Sequence, residues 1–193
     1  MRELRETILR QGQCVGDSIV KVDMFLNHRL DTRLMFAMGR ELADYFGKDK
    51  QDIVLTVEAS GIALALAAAH FLDDIPVVFA KKSPAANQSA DMLTAVAHSF
   101  THGNDNALRV DRRYLPAGSR VLVVDDFLAD GEASRALISI VEQAGCTLVG
   151  VGIAVEKGFQ PGGRKLREAG VNLKSLAIVT SIQDGRIQLA DDD

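Results

Sequence analysis

The chain has 193 residues, which is enough for one well-buried domain. Its formal net charge of −4 and its pI near 5.6 argue against nucleic acid or an anionic membrane surface as the main partner. The charged N-terminal residues do not form a secretory signal, and the apolar stretch at 62–72 is too short to span a bilayer.

Cysteine and histidine give no sign of a metal site. Cys14 and Cys146 lack the spacing of metal ligands, and two cysteines in a chain of this length are typical of reduced thiols in a cytoplasmic protein. The four histidines form no pair with the spacing of a zinc site. We therefore predict a cytoplasmic protein without a metal centre built from its own side chains.

The N-terminal quarter of the chain predicts two helices. Leu4, Ile8 and Leu9 indicate a short amphipathic helix that ends near Gly12. A longer helix begins after Asp31 as N-cap and stops at 47. Its apolar side is formed by Leu34, Met35, Met38, Leu42, Tyr45 and Phe46.

The middle of the chain predicts a strand–helix–strand unit followed by a long insertion. The unit comprises a strand at 53–58, an apolar helix at 62–71 and a strand at 75–80, joined by a right-handed crossover. The insertion at 83–119 is too long for an ordinary connection. Inside it, segments 93–100 and 107–110 indicate a hairpin around His102, Gly103, Asn104 and Asp105. Such an insertion is typically a lid over a ligand, although a solvated surface excursion is the alternative.

The rest of the chain predicts a second unit of the same kind. It comprises a strand at 121–124, a helix from Ala133 to Gly145 and a strand at 148–155. A further strand at 176–179 and an edge strand at 187–189 follow. Because strands alternate with helices, we predict an α/β fold with a mainly parallel central sheet flanked by helices.

A narrow pattern at 121–134 points to a sugar phosphate. Asp125 and Asp126 are expected at the carboxyl end of a buried strand, where open α/β sheets bind their ligands. The small-residue turn that follows leads into a helix, whose free N–H groups and dipole suit a phosphate. The adjacent acids can accept hydrogen bonds from ribose hydroxyls and offset positive charge at the anomeric carbon. The alternative is an ordinary turn with solvated acids.

A second strand-to-helix turn and two later loops supply further candidates. Ser60 and Gly61 open a helix and can receive another anionic group, although an ordinary Ser/Gly N-cap is the alternative. Lys81 or Lys82 can neutralise anionic charge at the same sheet edge. After the strand at 148–155, Lys157 can donate to an oxopurine carbonyl.

The run at 121–134 resembles the signature of the type I phosphoribosyltransferases that binds 5-phosphoribosyl 1-pyrophosphate (PRPP). The chain departs from many members by carrying Asp130 where they have Thr, and by adding Glu132. Since a carboxylate beside a phosphate is unfavourable, we expect the backbone amides of this turn to hold the phosphate. Segments 16–31, 57–63, 78–81 and 125–129 extend the likeness to bacterial members of the family that act on xanthine.

The resemblance implies a role for each candidate residue, although it assigns no acid–base catalyst. PRPP-binding residues would be Asp125, Asp126, Ala129, Asp130, Gly131, Glu132, Ala133, Ser60, Gly61 and Lys81. Base-binding residues would be Val20, Asn27, Lys157 and Phe159, with Phe159 offering a ring for stacking.

The resemblance also implies how the enzyme is organised. It implies a single domain over 1–193, with an N-terminal hood at about 1–50, a core at about 51–190 and the lid at about 83–119. Mg²⁺ bound mainly through PRPP and pyrophosphate, xanthine as second substrate and a homodimer are implied as well. Two alternatives stay open: a phosphoribosyltransferase for hypoxanthine and guanine or for adenine, and a non-catalytic regulator that senses PRPP.

Overall fold

The computed structural model describes residues 1–83, 91–98 and 105–191. The helices are Arg2–Gln11 (α1), Thr32–Phe46 (α2), Gly61–Phe71 (α3), Glu132–Gln143 (α4) and Gly162–Glu168 (α5). The strands are Gln13–Val15 (β1), Ile19–Lys21 (β2), Ile53–Val57 (β3), Val77–Ala80 (β4), Met92–His98 (β5), Asp105–Asp111 (β6), Arg120–Leu128 (β7), Thr147–Lys157 (β8), Leu173–Gln183 (β9) and Arg186–Leu189 (β10). A π-helical turn spans Asp23–Asn27.

The larger strands form a six-stranded sheet in the order β10-β9-β8-β7-β3-β4. Its pairs are parallel except for the edge strand β10, which runs antiparallel to β9. The predicted mainly parallel α/β fold is therefore confirmed. In the described part of the chain, no helix is both long enough and apolar enough to cross a membrane.

Several element boundaries differ from those predicted. The strand expected at 121–124 runs from Arg120 to Leu128, because the backbone keeps pairing with β8 beyond the apolar run. The strand expected at 75–80 begins only at Val77, after Pro76, which has no N–H group to donate. The strand expected at 176–179 is longer, and the β1–β2 hairpin and α5 were not predicted.

The sheet carries an apolar cluster on each side, and the N-terminal helices belong to one of them. In β8, Gly150 and Gly152 leave room for side chains of α2. A Cβ atom at Gly152 would lie 3.0 Å from Leu42, and one at Gly150 would lie 2.5 Å from the ring of Phe46. The alternating glycines thus let α2 pack closely on the sheet.

The predicted hairpin is formed by β5 and β6, which pair antiparallel from Met92↔Asp111 to His98↔Asp105. Of its expected turn, residues 102–104 lie outside the described residues. The two arms are anchored, since Leu93, Leu108 and Val110 are buried in the second apolar cluster. Backbone bonds between Lys81 and Arg109 also tie β6 to the end of β4.

Candidate active site

Two adjacent carboxylates are buried in the sheet. Asp125 is 4% exposed and Asp126 is 7% exposed, and the N–H group of Asp126 donates to Oδ1 of Asp125 at 3.0 Å. Burial and, next, the charge of Asp126 raise the pKa of Asp125 well above its usual value. The protein therefore holds negative charge here at a cost to its own stability, which is typical of a binding or catalytic position.

These acids lie in the last part of β7, as predicted, but the strand continues to Leu128 instead of ending at 124. Asp125 still pairs with Ile153 of β8, whereas the recorded pairs with β3 end at Leu55↔Val123. The acids thus occupy the part of β7 that extends beyond the β3 pairs. They nevertheless lie towards the carboxyl edge of the sheet, where the sequence pattern expected a ligand.

Gly61 lets the start of α3 approach Asp125 closely. A Cβ atom at this position would collide with the hydroxyl of Thr56 and lie 2.7 Å from Oδ1 of Asp125. The Thr56 hydroxyl is buried and has no hydrogen-bond partner among the described residues. Any side chain at 61 would therefore push against the carboxylate that the fold presents.

The turn between β7 and α4 has the features expected of a phosphate cradle. Gly131 is the N-cap of α4 and adopts a φ of +84°, a conformation that favours glycine. Glu132 opens the helix, but its carboxylate is neutralised by an ion pair with Arg135. The extra acid that the sequence placed in this turn is thus compensated within the same helix.

The turn between β3 and α3 lies at the same edge of the sheet. Its Glu58 carboxylate accepts a hydrogen bond from the backbone N–H of Lys82 at 2.7 Å, which ties the end of β4 to this turn. The Glu58–Ala59 peptide bond is cis. Ser60 precedes α3, but its side chain makes no capping hydrogen bond within the described residues. Ser60 therefore does not cap α3 with its side chain, which was the alternative interpretation of this turn.

Both turns and both acids line one cavity of about 260 Å³. The predicted site residues on its wall are Ser60, Asp125, Asp126, Ala129, Asp130, Gly131, Glu132 and Ala133. The wall also contains residues that the sequence had not indicated: Val57, Glu58, Ala97, Phe127, Leu128, Ser134 and Leu108. Lys82, rather than Lys81, is the lysine on this wall, and the hairpin contributes Ala97 and Leu108. Gly61 lies behind the wall, against Asp125.

The predicted base-binding residues lie beside this cavity. Asn27 ends the π-helical turn, and its Nδ2 donates to Oδ2 of Asp126 at 3.3 Å. Lys157 is the last residue of β8, and its Nζ donates to the carbonyl of Ser18 at 3.2 Å. Partial burial lowers the pKa of Lys157. The N-terminal segment is thereby brought next to the ends of β7 and β8.

The other two predicted base contacts differ in exposure. Val20 is 7% exposed in β2 and packs in the first apolar cluster. Phe159 follows β8 and is 37% exposed, so its ring is accessible. Neither side chain lies on the wall of the cavity.

A model of the phosphoribosyl transferase domain matches residues 26–184, which is most of the chain. The chain belongs to this family. The match includes both turns, the two acids and, of the predicted base-binding residues, Asn27, Lys157 and Phe159. The resemblance that the sequence motifs indicated is therefore confirmed.

Relatives within this family are similar over almost their full length. A xanthine phosphoribosyltransferase of Clostridium perfringens is 45% identical over 187 residues, covering 97% of this chain and 98% of that protein. One from Bifidobacterium animalis subsp. lactis is 48% identical over 182 residues, covering 94% of each. Among solved structures, an adenine phosphoribosyltransferase of Rhodothermus marinus has the same fold, with a TM-score of 0.73 and 23% identity. The alignment covers 93% of this chain and 100% of that one.

Asp125 and Asp126 are not joined by further side chains into a metal-ligand set in the part of the chain that the structure describes. Within the described residues, no group of three or more His, Cys, Asp or Glu side chains is arranged to hold a metal ion. Two buried carboxylates ahead of a glycine-led helix N-terminus nevertheless suit a hydrated Mg²⁺, which takes few ligands from protein.

Proposed function

We propose that this enzyme transfers the 5-phosphoribosyl group of PRPP to N9 of xanthine, releasing pyrophosphate and xanthosine monophosphate in purine salvage. The observation that carries the reaction class is the pair of buried acids beside a glycine-led helix N-terminus in one cavity. The choice of xanthine is supported by relatives of that name at 45% and 48% identity over nearly the whole chain.

In this proposal, the turn at 129–133 holds the 5′-phosphate. The helix α4 directs its free N–H groups and the positive end of its dipole at the anion. Gly131 brings the backbone close, and Arg135 prevents Glu132 from repelling the phosphate. Asp130 stays a predicted contact through its backbone, with its carboxylate directed away from the phosphate.

Pyrophosphate would bind at the other turn, between β3 and α3. Ser60 offers a hydroxyl that is free of capping, and Lys82 on the cavity wall offers positive charge. Lys81 stays a proposed partner, although its backbone pairs with Arg109 and its side chain is not on that wall. Gly61 would contribute by allowing the helix N-terminus to approach.

Asp125 and Asp126 would bind the ribose hydroxyls and stabilise the reaction centre. As the C1′–O bond to pyrophosphate breaks, positive charge develops on the ribose ring, and N9 of the base then forms the new bond to C1′. Fixed carboxylates that are largely buried stabilise such a charge far better than they would in bulk solvent. The N–H proton of the base passes to solvent, so no residue is assigned as a general base.

The base would bind between the N-terminal segment and the end of β8. Lys157 would donate to an oxo group of xanthine, Asn27 would supply an amide, and Phe159 would stack on the ring. Val20 would shape the apolar side of the base site from within the core. A donor left unpaired by the wrong base makes such a site selective.

Mg²⁺ is the proposed cofactor, and when bound it would supply positive charge against the leaving pyrophosphate. Substrate oxygens and water would provide most of its ligands, and Asp125 and Asp126 are the side chains that would hold it. We propose that the hairpin β5–β6 acts as the lid of the insertion at about 83–119, and that residues 1–50 form the hood. We also propose that the reaction occurs in the cytoplasm. The free thiols of Cys14 and Cys146 favour that location.

A homodimer is proposed through the outer faces of α2 and α3. Phe36 and Leu66 are 49% and 57% exposed there, beside an apolar groove of about 670 Å³ that Met35 and Val77 help to line. Exposed apolar surface of this kind marks an interaction site, and a second copy of the chain is the occupant we propose. Light scattering should give twice the chain mass, and Leu66→Glu should give the monomer mass.

The assay that tests the function follows pyrophosphate release from PRPP and Mg²⁺ with xanthine, hypoxanthine, guanine or adenine. We expect kcat/KM to be highest for xanthine. Preference for another purine would reject the base assignment but keep the reaction. No turnover with any base, together with retained PRPP binding, would favour the alternative of a regulator.

A pair of double variants isolates the role of the two acids. We expect Asp125→Asn with Asp126→Asn to lower turnover by about 100-fold or more, the effect of removing electrostatic groups that act in the transition state. The control is Asp73→Asn with Asp74→Asn, since these are also adjacent acids but are exposed. Both have positive φ values, which Asn tolerates. Equal activity of the two double variants would mean that the buried acids are not in the site.

A further inference from the structure

A buried ion pair lies directly behind the proposed phosphate turn. The Glu156 carboxylate is 3% exposed and accepts two hydrogen bonds from the Arg167 guanidinium, from Nη1 to Oε1 and from Nη2 to Oε2, both at 2.7 Å. The hydroxyl of Ser175 donates to Oε2 as well. We call these three residues the Glu156 cluster. It joins β8, α5 and β9, and the proposed mechanism uses none of its side chains.

The Glu156 cluster reaches the phosphate turn through two glycines at the start of α5. A Cβ atom at Gly163 would collide with the Glu156 carboxylate. The N–H group of Gly162 donates to the carbonyl of Ala129 at 3.0 Å, and Gly162 lies so close to Gly131 that a Cβ atom on Gly131 would be 3.0 Å from its Cα. The start of α5 is therefore packed between the buried carboxylate and the backbone of the phosphate turn.

The backbone of Glu156 pairs with the strand residue from which this turn begins. Glu156 pairs with Leu128, the last residue of β7 before the turn. Glu156 is therefore linked to the turn in two ways. Its backbone pairs with the residue just before the turn, and its side chain packs against Gly163, which follows the glycine that bonds to Ala129. Because the planar guanidinium of Arg167 donates to both carboxylate oxygens of Glu156, it fixes the orientation of α5 relative to β8 as well as their distance.

We propose that the Glu156 cluster positions the phosphate turn, so that Arg167 and Ser175 set the affinity for the 5′-phosphate although neither lines the cavity. They are positioning residues, not catalytic ones. Removing Arg167 leaves a buried carboxylate without its cation, and this drives water or a displaced α5 into the space behind the turn. The amides that hold the phosphate then lose their alignment. This inference rests on the proposed assignment of PRPP to this turn.

The test compares Arg167→Met with Arg164→Met by calorimetric titration with ribose 5-phosphate, followed by steady-state kinetics. Arg164 lies in the same helix and pairs with Glu168 at 3.1 Å, but both of these side chains are largely exposed. We expect Arg167→Met to raise the Kd for ribose 5-phosphate by about 10- to 100-fold, since a displacement of about 1 Å can cost about 100-fold. KM for PRPP should rise with it, while kcat changes less. Arg164→Met should match the wild type.

The outcomes separate this inference from the proposed function. A wild-type chain that fails to bind ribose 5-phosphate rejects the proposed site, and the inference with it. If the wild type binds and Arg167→Met melts earlier but binds equally well when folded, the cluster is only structural and the inference is wrong. If Arg167→Met does not fold, Ser175→Ala decides, because it removes a single hydrogen bond. A Kd raised about threefold or more supports the positioning role, and an unchanged Kd overturns it.

Discussion

Asp125→Asn should make the protein more stable and less active at the same time. Asp125 is 4% exposed, and burial together with the charge of Asp126 raises the pKa of its carboxyl group. Asn has nearly the same shape and keeps the oxygen that accepts the N–H bond of Asp126 at 3.0 Å. Its new amide can donate to the Asp126 carboxylate. The substitution thus removes a buried charge without opening a cavity.

The expected gain follows from the loss of that charge. We expect the free energy of unfolding at pH 8 to rise by about 1–2 kcal/mol, a usual range for stabilising substitutions. In a chain of this length, each kcal/mol shifts Tm by about 2–4 °C, so Tm should rise by about 2–8 °C. Turnover should fall about 100-fold, because the variant loses a carboxylate that the proposed mechanism places at the ribose.

The stability gained by Asp125→Asn should depend on pH in one direction. A carboxyl group whose pKa is raised by folding contributes stability below its unfolded pKa of about 3.9 and loses it as pH rises to the folded value. The advantage of the Asn variant should therefore be absent near pH 4, grow with pH and then level off. Calorimetric melting of both proteins from pH 4 to 9 measures it. A variant that melts below the wild type at pH 8, or a gain that does not change with pH, would refute the reasoning.

Three further substitutions test other parts of the structure. Arg120 lowers the pKa of Asp52 to about 2. This carboxylate therefore stabilises the fold above its unfolded pKa and ceases to do so as pH falls towards 2. Asp52→Asn should accordingly lower the urea midpoint at pH 7 but not near pH 2. Gly61→Ala pushes a Cβ atom against Thr56 and Asp125, and should reduce kcat/KM at least about tenfold while circular dichroism stays native. Lys157→Met should raise KM for xanthine about tenfold and KM for PRPP by less, because Lys157 donates to the carbonyl of Ser18 and meets the phosphate turn only through the charge of Asp130. Equal effects on both constants would contradict its role at the base.

The sequence predicted most of the sheet because its strands are marked by continuous apolar runs. It predicted the wrong end for β7, because two acids normally indicate that a buried strand has finished. Here the backbone of Asp125 continues to pair with Ile153, a partner that belongs to a distant part of the chain. Similarly, Gly162 and Gly163 indicate a loop, whereas contacts with Ala129 and Glu156 hold them at the start of a helix.

The candidate site was predictable where one local motif carries it. The turn at 129–133 and the two acids are adjacent in sequence, and all of them lie on the cavity wall. Which lysine reaches that wall was not predictable from Lys81 and Lys82 alone, because the pairing of Lys81 with Arg109 decides it. The contact of Asn27 with Asp126 joins residues 99 positions apart, and only the family resemblance pointed to Asn27.

The packing of α2 on β8 has a consequence for synthesis of the chain. Leu42 and Phe46 pack against Gly150 and Gly152, which follow roughly a hundred residues later in the sequence. During translation, the apolar face of α2 therefore has no sheet to cover it until β8 has left the ribosome. The helix α3 packs on α2 much earlier, so the part that stays uncovered through most of synthesis is the end that carries Leu42 and Phe46, and this end is the natural point of contact for a chaperone.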